Sequence, residues 1–559
     1  MKSNTVANSY VCGTSDQPLI YQTIGDAFDL AVERWGEKEA IVVRHQDIRW
    51  SYQQFGEAVD AFAAGLLALD LQSGDRVGIW SPNNIEWVIT QFATAKAGLI
   101  LVNINPAYRK AELSYTLNKV GCKALILASE FKSSDYIGML RDIAPGIDTS
   151  AGGRLNLPEL PDLRSLIVIS DKPQAGMIRF SDIAAMAPAD SADQLRIRAL
   201  ANQPDDAINI QFTSGTTGLP KGATLTHFNV LNNGYFCGQA MKFTHRDSLC
   251  IPVPLYHCFG MVLGVLASVT HGASMVFPSE AFEPLAVLEA VSEERCTALH
   301  GVPTMFIAEL EHPDFSSFDF SQLRTGIMAG APCPIEVMRK VISEMNMEQV
   351  TICYGMTETS PVSFQSATDD PLEKRVATVG RIHPHVQVKI IDEKGAVVPR
   401  GQSGELCTRG YSVMLGYWGD EDRTREEIDK AGWIHTGDLA VIDEEGYCDI
   451  VGRVKDMIIR GGENIYPREI EEYLFQHPKI QEAAVFGVPD ERFGEAVAAW
   501  IRLQDGEMMS ADDVREYCNE QIAYYKVPKH IFIVDEFPMT VTGKIQKFVM
   551  REQTIKEIM

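Results

Sequence analysis

The sequence predicts an α/β fold with a large multi-lobed N-terminal part and a small α+β C-terminal domain. Three observations lead to this. Short Val/Ile/Leu runs alternate with helical patterns from about residue 75 to residue 354, which is typical of parallel sheets covered on both faces. Turns and short alternating strands replace that pattern after Thr378 and predict a small β-rich subdomain. A new pattern of helices and strands begins after Arg453.

The first part supplies buried strands and the helices that cover them. Continuous apolar runs bounded by turns predict strands, and apolar residues that recur every three to four positions predict helices. The predicted strands are 124–128, 165–169, 208–212 and 350–354. The predicted helices are 85–97, 228–241, 283–291 and 335–345.

The remainder divides at about Arg453. We predict one N-terminal domain over residues 1–453, with the β-rich subdomain at about 378–453, and a second domain over 454–559. The predicted strands of the subdomain are 386–392, 404–408 and 448–451. The predicted elements of the second domain are a helix at 468–475, strands at 483–487 and 496–503, a helix at 511–522 and a strand at 531–534.

Composition excludes several classes of function. The 559 residues carry 50 Lys and Arg against 75 Asp and Glu, for a formal charge of −25. Such a chain does not bind nucleic acid or anionic lipid through bulk positive charge. The longest apolar stretch, 258–277, is interrupted by Gly, Ser and His, so we predict a helix, a turn and a strand there, with no integral membrane segment.

The N-terminus and the cysteines indicate a reduced, cytoplasmic protein. The first residues lack a basic segment followed by an apolar one, which a secretory signal would need. The 11 cysteines are scattered, and no pair has CxxC spacing. The spacing therefore argues against a disulfide framework and against a zinc site.

Residues 208–222 have the composition of a phosphate-binding loop. The predicted strand runs into TSGTTGLPKG, which holds four hydroxyl side chains, three glycines and a lysine. Backbone N–H groups, hydroxyls and one cation can converge there on phosphate oxygens. A Walker A loop would need glycine where Pro220 stands, which argues against P-loop NTPases and related kinases. A flexible surface turn is the alternative interpretation.

Six motifs in a fixed order resemble the adenylate-forming superfamily of AMP-binding enzymes, and within it the acyl-CoA synthetases. After the TSGTTGLPKG loop they are YGMTE at 354–358, WIHTGD at 433–438, GRVKD at 452–456, RGGENIYP at 460–467 and TGKIQK at 542–547. One match would be weak, but six in order are specific. The short segments NPAY, PLYHC and GKIQKF most resemble the medium-chain branch called acyl-CoA synthetase family member 2. The similarity to this branch extends over about residues 18–552.

The resemblance implies a nucleotide site built from all these motifs. A turn of small residues would admit adenine, Tyr354 would offer it a stacking face, and the Asp438 carboxylate would accept bonds from both ribose hydroxyls. Ordinary surface charges are the alternative for Asp438 and Arg453. The implied ATP or AMP contacts are Thr213, Ser214, Gly215, Thr216, Thr217, Gly218, Lys221, Gly330, Ala331, Pro332, Tyr354, Gly355, Met356, Thr357, Glu358, Asp438, Arg453 and Lys544.

The implied chemistry begins when a carboxylate oxygen attacks the α-phosphate of ATP and expels pyrophosphate. Lys544, after a glycine, would bridge the carboxylate and that phosphate. Glu358 and Thr213 would be the Mg²⁺ ligands, because both offer hard oxygens. The expected catalytic residues are Lys544, His257, Glu358 and Thr213. A solvated tail lysine is the alternative for Lys544, and a helix N-terminus is the alternative for Thr357-Glu358.

The acyl pocket is implied in the same way. In the family a histidine at the place of His257 lies beside the reacting carboxylate, although a histidine after an apolar strand is more often a core residue. Gly260 and Gly264 would leave room for an alkyl chain if they face inward. The expected lining is His257, Phe259, Gly260, Val302, Ala329 and Met356.

The resemblance also implies that the C-terminal domain is a mobile cap. It would rotate about a hinge at Lys455, so that the thiol of CoA can reach the acyl carbon. Gly461 and Gly462 would form the wall of the thiol channel, because glycine lets a backbone approach closely. A hairpin turn explains the same pair equally well.

We therefore expect an ATP-dependent acid–thiol ligase that makes acyl-CoA from a carboxylic acid, a medium-chain fatty acid by the resemblance. Mg²⁺ is the expected cofactor, and the expected partners are the acid, ATP and CoA. We expect no nucleic-acid partner, and a homodimer is compatible with the sequence. One alternative is an adenylating enzyme that passes its acyl group to a carrier protein or another acceptor. A nucleotide-binding protein without turnover is the other.

Overall fold

In the computed structural model, the chain folds around four sheets of five or more strands. The structure describes residues 7–150, 154–213, 220–331, 333–460, 463–490, 492–519, 521–539 and 545–558. The predicted α/β class is confirmed: both large sheets have parallel strands at the centre, with antiparallel strands at one edge of the eight-stranded sheet and at both edges of the nine-stranded sheet.

The first large sheet has eight strands and carries the predicted phosphate loop near one edge. Its strands, in spatial order, are Ile178–Arg179, Ser165–Ile169, Ala124–Ala128, Arg76–Trp80, Ile100–Asn103, Ala207–Thr213, Lys221–Thr226 and Gly416–Tyr417. The strands predicted at 124–128 and 165–169 have the expected bounds. Both are apolar and almost wholly buried, as strands inside a two-sided sheet must be.

The second large sheet has nine strands. In spatial order they are Arg381–Ile382, Val362–Gln365, Gln349–Gly355, Thr325–Met328, Ala298–Leu299, Ser248–Cys250, Ser274–Phe277, Glu39–Val43 and Ile48–Ser51. The strand predicted at 350–354 lies within Gln349–Gly355. A separate two-stranded sheet is formed by the hairpin of Glu130–Phe131 and Ser134–Asp135.

Helices cover the two large sheets, and the four that the sequence predicted lie close to their expected bounds. These four are Ile85–Lys96, His227–Ala240, Pro284–Glu293 and Ile335–Glu344. The other α-helices up to residue 427 are Ile24–Trp35, Tyr52–Leu66, Lys110–Val120, Tyr136–Ile143, Phe180–Ile183, Ser191–Ala201, Ala267–His271, Pro303–Leu310, Leu372–Ala377 and Glu421–Glu427. Side-chain caps fix several starts; Thr226, for example, accepts the N–H of Asn229.

The β-rich subdomain is a five-stranded antiparallel sheet. Its strands, in order, are Tyr10–Cys12, Val386–Ile391, Gly404–Gly410, Ile434–Ile442 and Cys448–Arg453. The sequence did not indicate that the N-terminal strand joins this sheet. The segment between the third and fourth strands also departs from the prediction, because Gly416–Tyr417 pairs with the eight-stranded sheet.

The C-terminal part is α+β, as expected. Its sheet contains Glu463–Ile465, Ile458–Arg460, Gly494–Leu503, Ile480–Asp490 and His530–Ile533. Its helices are Pro467–Phe475, Ala511–Cys518 and Lys547–Ile558. The last helix was not predicted. Only Met550 and Thr554 on this helix are buried. It therefore lacks the wide apolar stripe by which an amphipathic helix is recognised in a sequence.

The apolar stretch at 258–277 is helical, then turns at Gly272 and ends in a strand, as predicted. A π-helix over Phe259–Leu266 continues directly into Ala267–His271 and is followed by Ser274–Phe277. Within the described part of the chain, every helix is too short or too polar to cross a bilayer.

Candidate active site

Two antiparallel strands hold the ends of the predicted phosphate loop. Ala207–Thr213 pairs with Lys221–Thr226, and the register places Thr213 directly opposite Lys221. The strand pair therefore fixes a hydroxyl and an ammonium at the two ends of the loop. Within this loop, five of the predicted nucleotide contacts lie outside the described residues: Ser214, Gly215, Thr216, Thr217 and Gly218.

Glu358 lies beside the end of the first of these strands. It belongs to a single 3-10 turn, Thr357–Thr359, that follows the strand Gln349–Gly355. The Thr213 hydroxyl donates to Glu358 Oε1 at 3.1 Å. Glu358 is 6% exposed, so this pair of oxygens is held together in a largely desolvated position. The structure thus brings the two predicted metal ligands into contact.

Tyr417 links Glu358 to a second carboxylate. Its hydroxyl lies 2.9 Å from Glu358 Oε1 and 2.5 Å from Glu427 Oε2. Burial, and then the charge of Glu358, raises the pKa of Tyr417 well above its usual value, so the hydroxyl keeps its proton. A phenol has one hydrogen to donate. The two carboxylates therefore share one donor.

Lys221 completes this group. Its ammonium lies 2.5 Å from Glu427 Oε1 and 4.8 Å from the centre of the Tyr417 ring. We call Thr213, Lys221, Glu358, Tyr417 and Glu427 the phosphate-end cluster. With both carboxylates ionised and one lysine present, the cluster has a surplus negative charge.

The phosphate-end cluster fits a magnesium ion. Mg²⁺ prefers oxygen ligands and usually combines one or two carboxylates with substrate phosphates. Thr213 and Glu358 supply such oxygens side by side. The surplus negative charge of the cluster favours binding of a cation.

A second cluster forms around Asp438 and we call it the nucleoside-end cluster. The Tyr354 hydroxyl donates to Asp438 Oδ2 at 2.5 Å, and Arg453 Nε lies 2.9 Å from Asp438 Oδ1. Asp438 and Arg453 face each other across the strands Ile434–Ile442 and Cys448–Arg453. Each carboxylate oxygen thus has its own donor. Tyr354 and Glu358 lie on one continuous segment, which connects the two clusters.

Burial sets the protonation behaviour of the nucleoside-end cluster. Asp438 is 6% exposed, and burial raises the pKa of its carboxyl, while the Arg453 charge and the Tyr354 hydroxyl act in the opposite direction. Burial and the nearby Asp438 raise the pKa of Tyr354 well above its usual value. Tyr354 is therefore a donor at every relevant pH.

The predicted adenine turn follows the strand Thr325–Met328. Gly330 has φ +91°, a conformation that favours glycine, and a side chain there would come within 3.2 Å of Val302. Ala331 is partly exposed. Pro332 lies outside the described residues. In the YGMTE segment, Gly355 is exposed, Met356 is partly buried and Thr357 is buried.

His257 lies just before the π-helix. Its Nδ1 accepts the backbone N–H of Phe259 at 3.2 Å. A nitrogen that accepts an N–H bond carries no proton, so the neutral ring has its proton on Nε2. The Phe259 N–H therefore fixes the tautomer of the neutral His257 ring, in which Nε2 is the donor nitrogen.

Three predicted acyl-pocket residues belong to one apolar cluster. Phe259, Val302 and Ala329 are all buried in it, and Ala329 donates its N–H to Gly301 at 3.3 Å. The expectation that Gly260 leaves room for an alkyl chain is wrong. A Cβ there would lie 2.4 Å from the carbonyl oxygen of Pro254, because the helix packs directly on that backbone.

The remaining predicted residues are only partly described. Lys455 lies exposed in the turn between Cys448–Arg453 and Ile458–Arg460, a place where a hinge can change conformation. Gly461, Gly462 and Lys544 lie outside the described residues.

Sequence reasoning missed Tyr417 and Glu427. They are 59 and 69 residues from Glu358 along the chain and reach the site because Gly416–Tyr417 joins the eight-stranded sheet as its edge strand. The helix Glu421–Glu427 follows that strand and ends at Glu427. No local pattern marks either residue, so the only available signal would have been the edge pairing itself.

Comparison with known proteins gives consistent matches over the whole chain. The family model described as AMP-binding enzyme matches residues 28–418, and the one described as AMP-binding enzyme C-terminal domain matches residues 469–544. The Bacillus subtilis protein YngI, named as an acyl-CoA synthetase, is 48% identical over 540 residues, covering 96% of this chain and 98% of YngI.

A vertebrate relative and a crystal structure agree with these matches. The Danio rerio protein named medium-chain acyl-CoA ligase ACSF2, mitochondrial, is 47% identical over 557 residues, which cover 99% of this chain and 92% of that protein. The crystal structure of the anthranilate CoA ligase AuaEII in complex with anthranoyl-AMP superposes with a TM-score of 0.85 at 27% identity, covering 97% of this chain and 99% of that one.

Proposed function

Because the chain belongs to the AMP-binding enzyme family, we propose that it is an ATP-dependent acyl-CoA synthetase. It activates a fatty acid as an acyl adenylate and then transfers the acyl group to CoA, releasing AMP and pyrophosphate. The observation that carries this proposal is the pair of clusters, each with a buried carboxylate, that the segment from Tyr354 to Glu358 joins; one is suited to a ribose and one to a magnesium-bound polyphosphate.

The nucleoside-end cluster holds the ribose. Asp438 is an acceptor already oriented by Tyr354 and Arg453, so both ribose hydroxyls can donate to it with little rearrangement. The turn at Gly330 and Ala331 gives adenine a close approach, since Gly330 has no side chain to occupy the space toward Val302.

The phosphate-end cluster positions the triphosphate. Thr213 and Glu358 would hold Mg²⁺, which would supply positive charge to the phosphates. Lys221 supplies the positive charge at the other end of the loop, where its ammonium lies over the Tyr417 ring and the phosphates compete with Glu427 for it. These groups are fixed before the reaction, which is the arrangement that lowers the cost of stabilising a charged transition state.

His257 and Lys544 act on the carboxylate. The Nε2–H group of His257 can donate a hydrogen bond to a carboxylate oxygen, because Nδ1 is engaged by the backbone. Lys544 bridges that carboxylate and the α-phosphate from the C-terminal domain. The C-terminal domain then turns about Lys455 and places Gly461 and Gly462 along the thiol channel.

The medium-chain preference follows from the relatives. ACSF2 of Danio rerio is named as a medium-chain acyl-CoA ligase, and the similarity extends over nearly the whole of both chains. Transfer to a carrier protein is not favoured, because the relatives are named for CoA. A protein without turnover is also not favoured, since Glu358 and Asp438, the carboxylates proposed for the metal and the ribose, are both present with hydrogen-bond partners. A cytoplasmic location stays a prediction.

AMP formation across a panel of acids tests the proposed function. Straight-chain acids from acetate to palmitate, one branched acid and one aromatic acid are each supplied with MgATP, with and without CoA. We expect steady AMP release only with acid and CoA together, highest for medium-chain acids. Steady release that does not depend on CoA, or no release with any acid, would contradict a CoA ligase.

The two half reactions separate the roles of Lys544 and Lys455. We expect Lys544→Ala to abolish acid-dependent ATP–pyrophosphate exchange and to retain most thioester formation from synthetic acyl adenylate. Lys455→Ala should show the reverse, since it acts in the domain movement. Equal loss of both half reactions in Lys544→Ala would rule out the assigned role.

A further inference from the structure

Three different metal-ligating side chains meet on the five-stranded sheet, outside both clusters described above. Glu405 and Cys407 lie two residues apart on the strand Gly404–Gly410 and therefore share a face. His435 lies directly opposite Cys407 on the neighbouring strand Ile434–Ile442. The pairing shifts register between Glu405 and Cys407, and both side chains reach the same histidine. Among the residues that the structure describes, this is the one group of its kind.

The distances match a tetrahedral metal site. His435 Nδ1 lies 3.1 Å from Glu405 Oε2 and 3.7 Å from Cys407 Sγ, and all three ligand atoms lie within 4.8 Å of one another. Zinc bonds of about 2.0 Å to nitrogen and oxygen and about 2.3 Å to sulfur place tetrahedral ligand atoms roughly 3.3–3.6 Å apart. The two distances from His435 Nδ1 are therefore close to those of such a site, and the Glu405 and Cys407 ligand atoms lie no farther than 4.8 Å apart.

We propose that Glu405, Cys407 and His435 form a Zn²⁺-binding site whose fourth ligand is water. Zn²⁺ accepts a mixed set of carboxylate, thiolate and imidazole ligands, whereas Mg²⁺ and Ca²⁺ select oxygen alone. Binding forms a zinc–sulfur bond, breaks the S–H bond and releases that proton to solvent. The proposed synthetase reaction makes no use of these residues.

Access and anchoring support the site. Cys407 is buried, while the side chains of Glu405 and His435 are 26% and 33% exposed, which leaves a route for the ion and a water. The second oxygen, Glu405 Oε1, accepts the backbone N–H of Gly437 at 3.3 Å. A ligand whose other atom is held by the protein is already oriented for the metal.

The surrounding charges favour a divalent cation. Lys389 lies opposite Cys407 on the other neighbouring strand, and its ammonium is engaged over the Trp433 ring at 4.6 Å. Asp429 is also close, since its charge acts on the Cys407 thiol. Arg409, two residues after Cys407 on the same strand, also lies over the Trp433 ring, at 4.4 Å. Glu405, Asp429 and the Cys407 thiolate, set against Lys389 and Arg409, leave one negative charge for the ion to neutralise.

The resting thiol is inert without a metal. Burial, with Glu405 nearby, raises the pKa of Cys407 to about 12, so the group is a thiol and not a reactive thiolate at neutral pH. The cysteine spacing argued against a zinc site because it records only pairs of nearby cysteines, whereas these ligands include one cysteine and are paired across two strands.

A Co²⁺ titration of the full-length protein tests the proposal, because cobalt occupies zinc sites and shows a thiolate-to-metal charge-transfer band. We expect one equivalent of Co²⁺ to produce this band and one equivalent of Zn²⁺ to remove it. Cys407→Ser should abolish the band. His435→Gln and Glu405→Gln should each weaken binding by about tenfold or more.

Cys448→Ser is the matched control, since Cys448 is a buried thiol on the next strand of the same sheet. It should retain the band. Far-ultraviolet circular dichroism establishes whether each variant is folded. If a variant at the buried Cys407 unfolds, Glu405→Gln still tests the site, because Glu405 is partly exposed. A wild-type protein without the band, or a folded Cys407→Ser variant that keeps it, would overturn the proposal.

Discussion

The two ends of the proposed nucleotide site use the same three kinds of group in different proportions. At the nucleoside end, one carboxylate, Asp438, has a tyrosine donor on one oxygen and an arginine on the other. At the phosphate end, two carboxylates, Glu358 and Glu427, share one tyrosine proton and one lysine. The first end is balanced in charge, and the second has negative charge in surplus.

This difference assigns different tasks to the two ends. A balanced, hydrogen-bonded carboxylate suits a neutral sugar, which brings hydroxyl donors and no charge. A surplus of negative charge suits a divalent cation, which the triphosphate brings with it. It also explains how a chain with a formal charge of −25 binds a polyanion: the binding charges are local, and one of them arrives with the ligand.

Glu358→Gln should have the largest effect. The change removes the carboxylate that contacts Thr213, so we expect kcat/KM for AMP formation to fall on the order of 100-fold, as when a fixed charge contact to the reacting groups is lost. The Mg²⁺ concentration needed for half-maximal rate should rise. Glu426→Gln, on the exposed face of the helix Glu421–Glu427, should leave both values unchanged. An unaltered Mg²⁺ dependence in Glu358→Gln would contradict the assignment of the phosphate end.

Asp438→Asn should act on nucleotide affinity. The amide keeps one acceptor oxygen, so the change removes one charged hydrogen bond of about 1.5–3 kcal/mol and predicts a rise in KM for ATP of about 10- to 150-fold. The Mg²⁺ dependence should not change, because this end does not hold the ion. A shifted Mg²⁺ curve in this variant would remove the distinction between the two ends.

The pH dependence of ATP binding sharpens the same comparison. Burial raises the pKa of Asp438 above that of an ordinary carboxyl, so its charged form is lost at a higher pH as the solution is acidified. We expect the affinity of the wild-type protein for ATP, measured calorimetrically without acid substrate, to fall as pH decreases through that raised pKa. The Asp438→Asn variant should lack this step, and the same step in both proteins would mean that another group causes it.

Glu427→Gln should have the smallest effect. Glu427 competes with the phosphates for Lys221. The pair is partly exposed to solvent: 13% of the Lys221 side chain and 25% of the Glu427 side chain are accessible. Such pairs contribute about 1 kcal/mol at most, so KM for ATP should fall by about fivefold or less. In a Lys221→Gln background the same change should have no effect. A rise in KM would show that Glu427 orients Lys221 toward the phosphates and does not compete with them.

Much of the fold could be predicted because the central strands are apolar and local. Ala124–Ala128 and Ser165–Ile169 are continuous runs with turns on both sides, and they have the predicted bounds. Tyr10–Cys12 could not be predicted as a strand of the small sheet. It has three residues and pairs with Val386–Ile391, far along the chain, so no local pattern records the contact.

The candidate site shows the same limit. Thr213, Glu358, Tyr354 and Asp438 lie in recognisable motifs, and their pairing follows from the strands that carry them. Tyr417 reaches the site through an edge pairing between distant segments. Whether Gly260 leaves room for an alkyl chain depends on which way a Cβ at that position would point. Helix packing sets that direction toward the backbone of Pro254, and the sequence does not reveal it.

The most direct test is acid-dependent ATP–pyrophosphate exchange, without CoA, measured against Mg²⁺ concentration in the wild-type, Glu358→Gln and Asp438→Asn proteins. We predict exchange only when acid is present, a Mg²⁺ curve shifted to higher concentration for Glu358→Gln, and an unshifted curve at reduced ATP affinity for Asp438→Asn. Exchange without acid, or the same Mg²⁺ shift in both variants, would contradict an adenylation site with a metal-binding phosphate end and a charge-balanced nucleoside end.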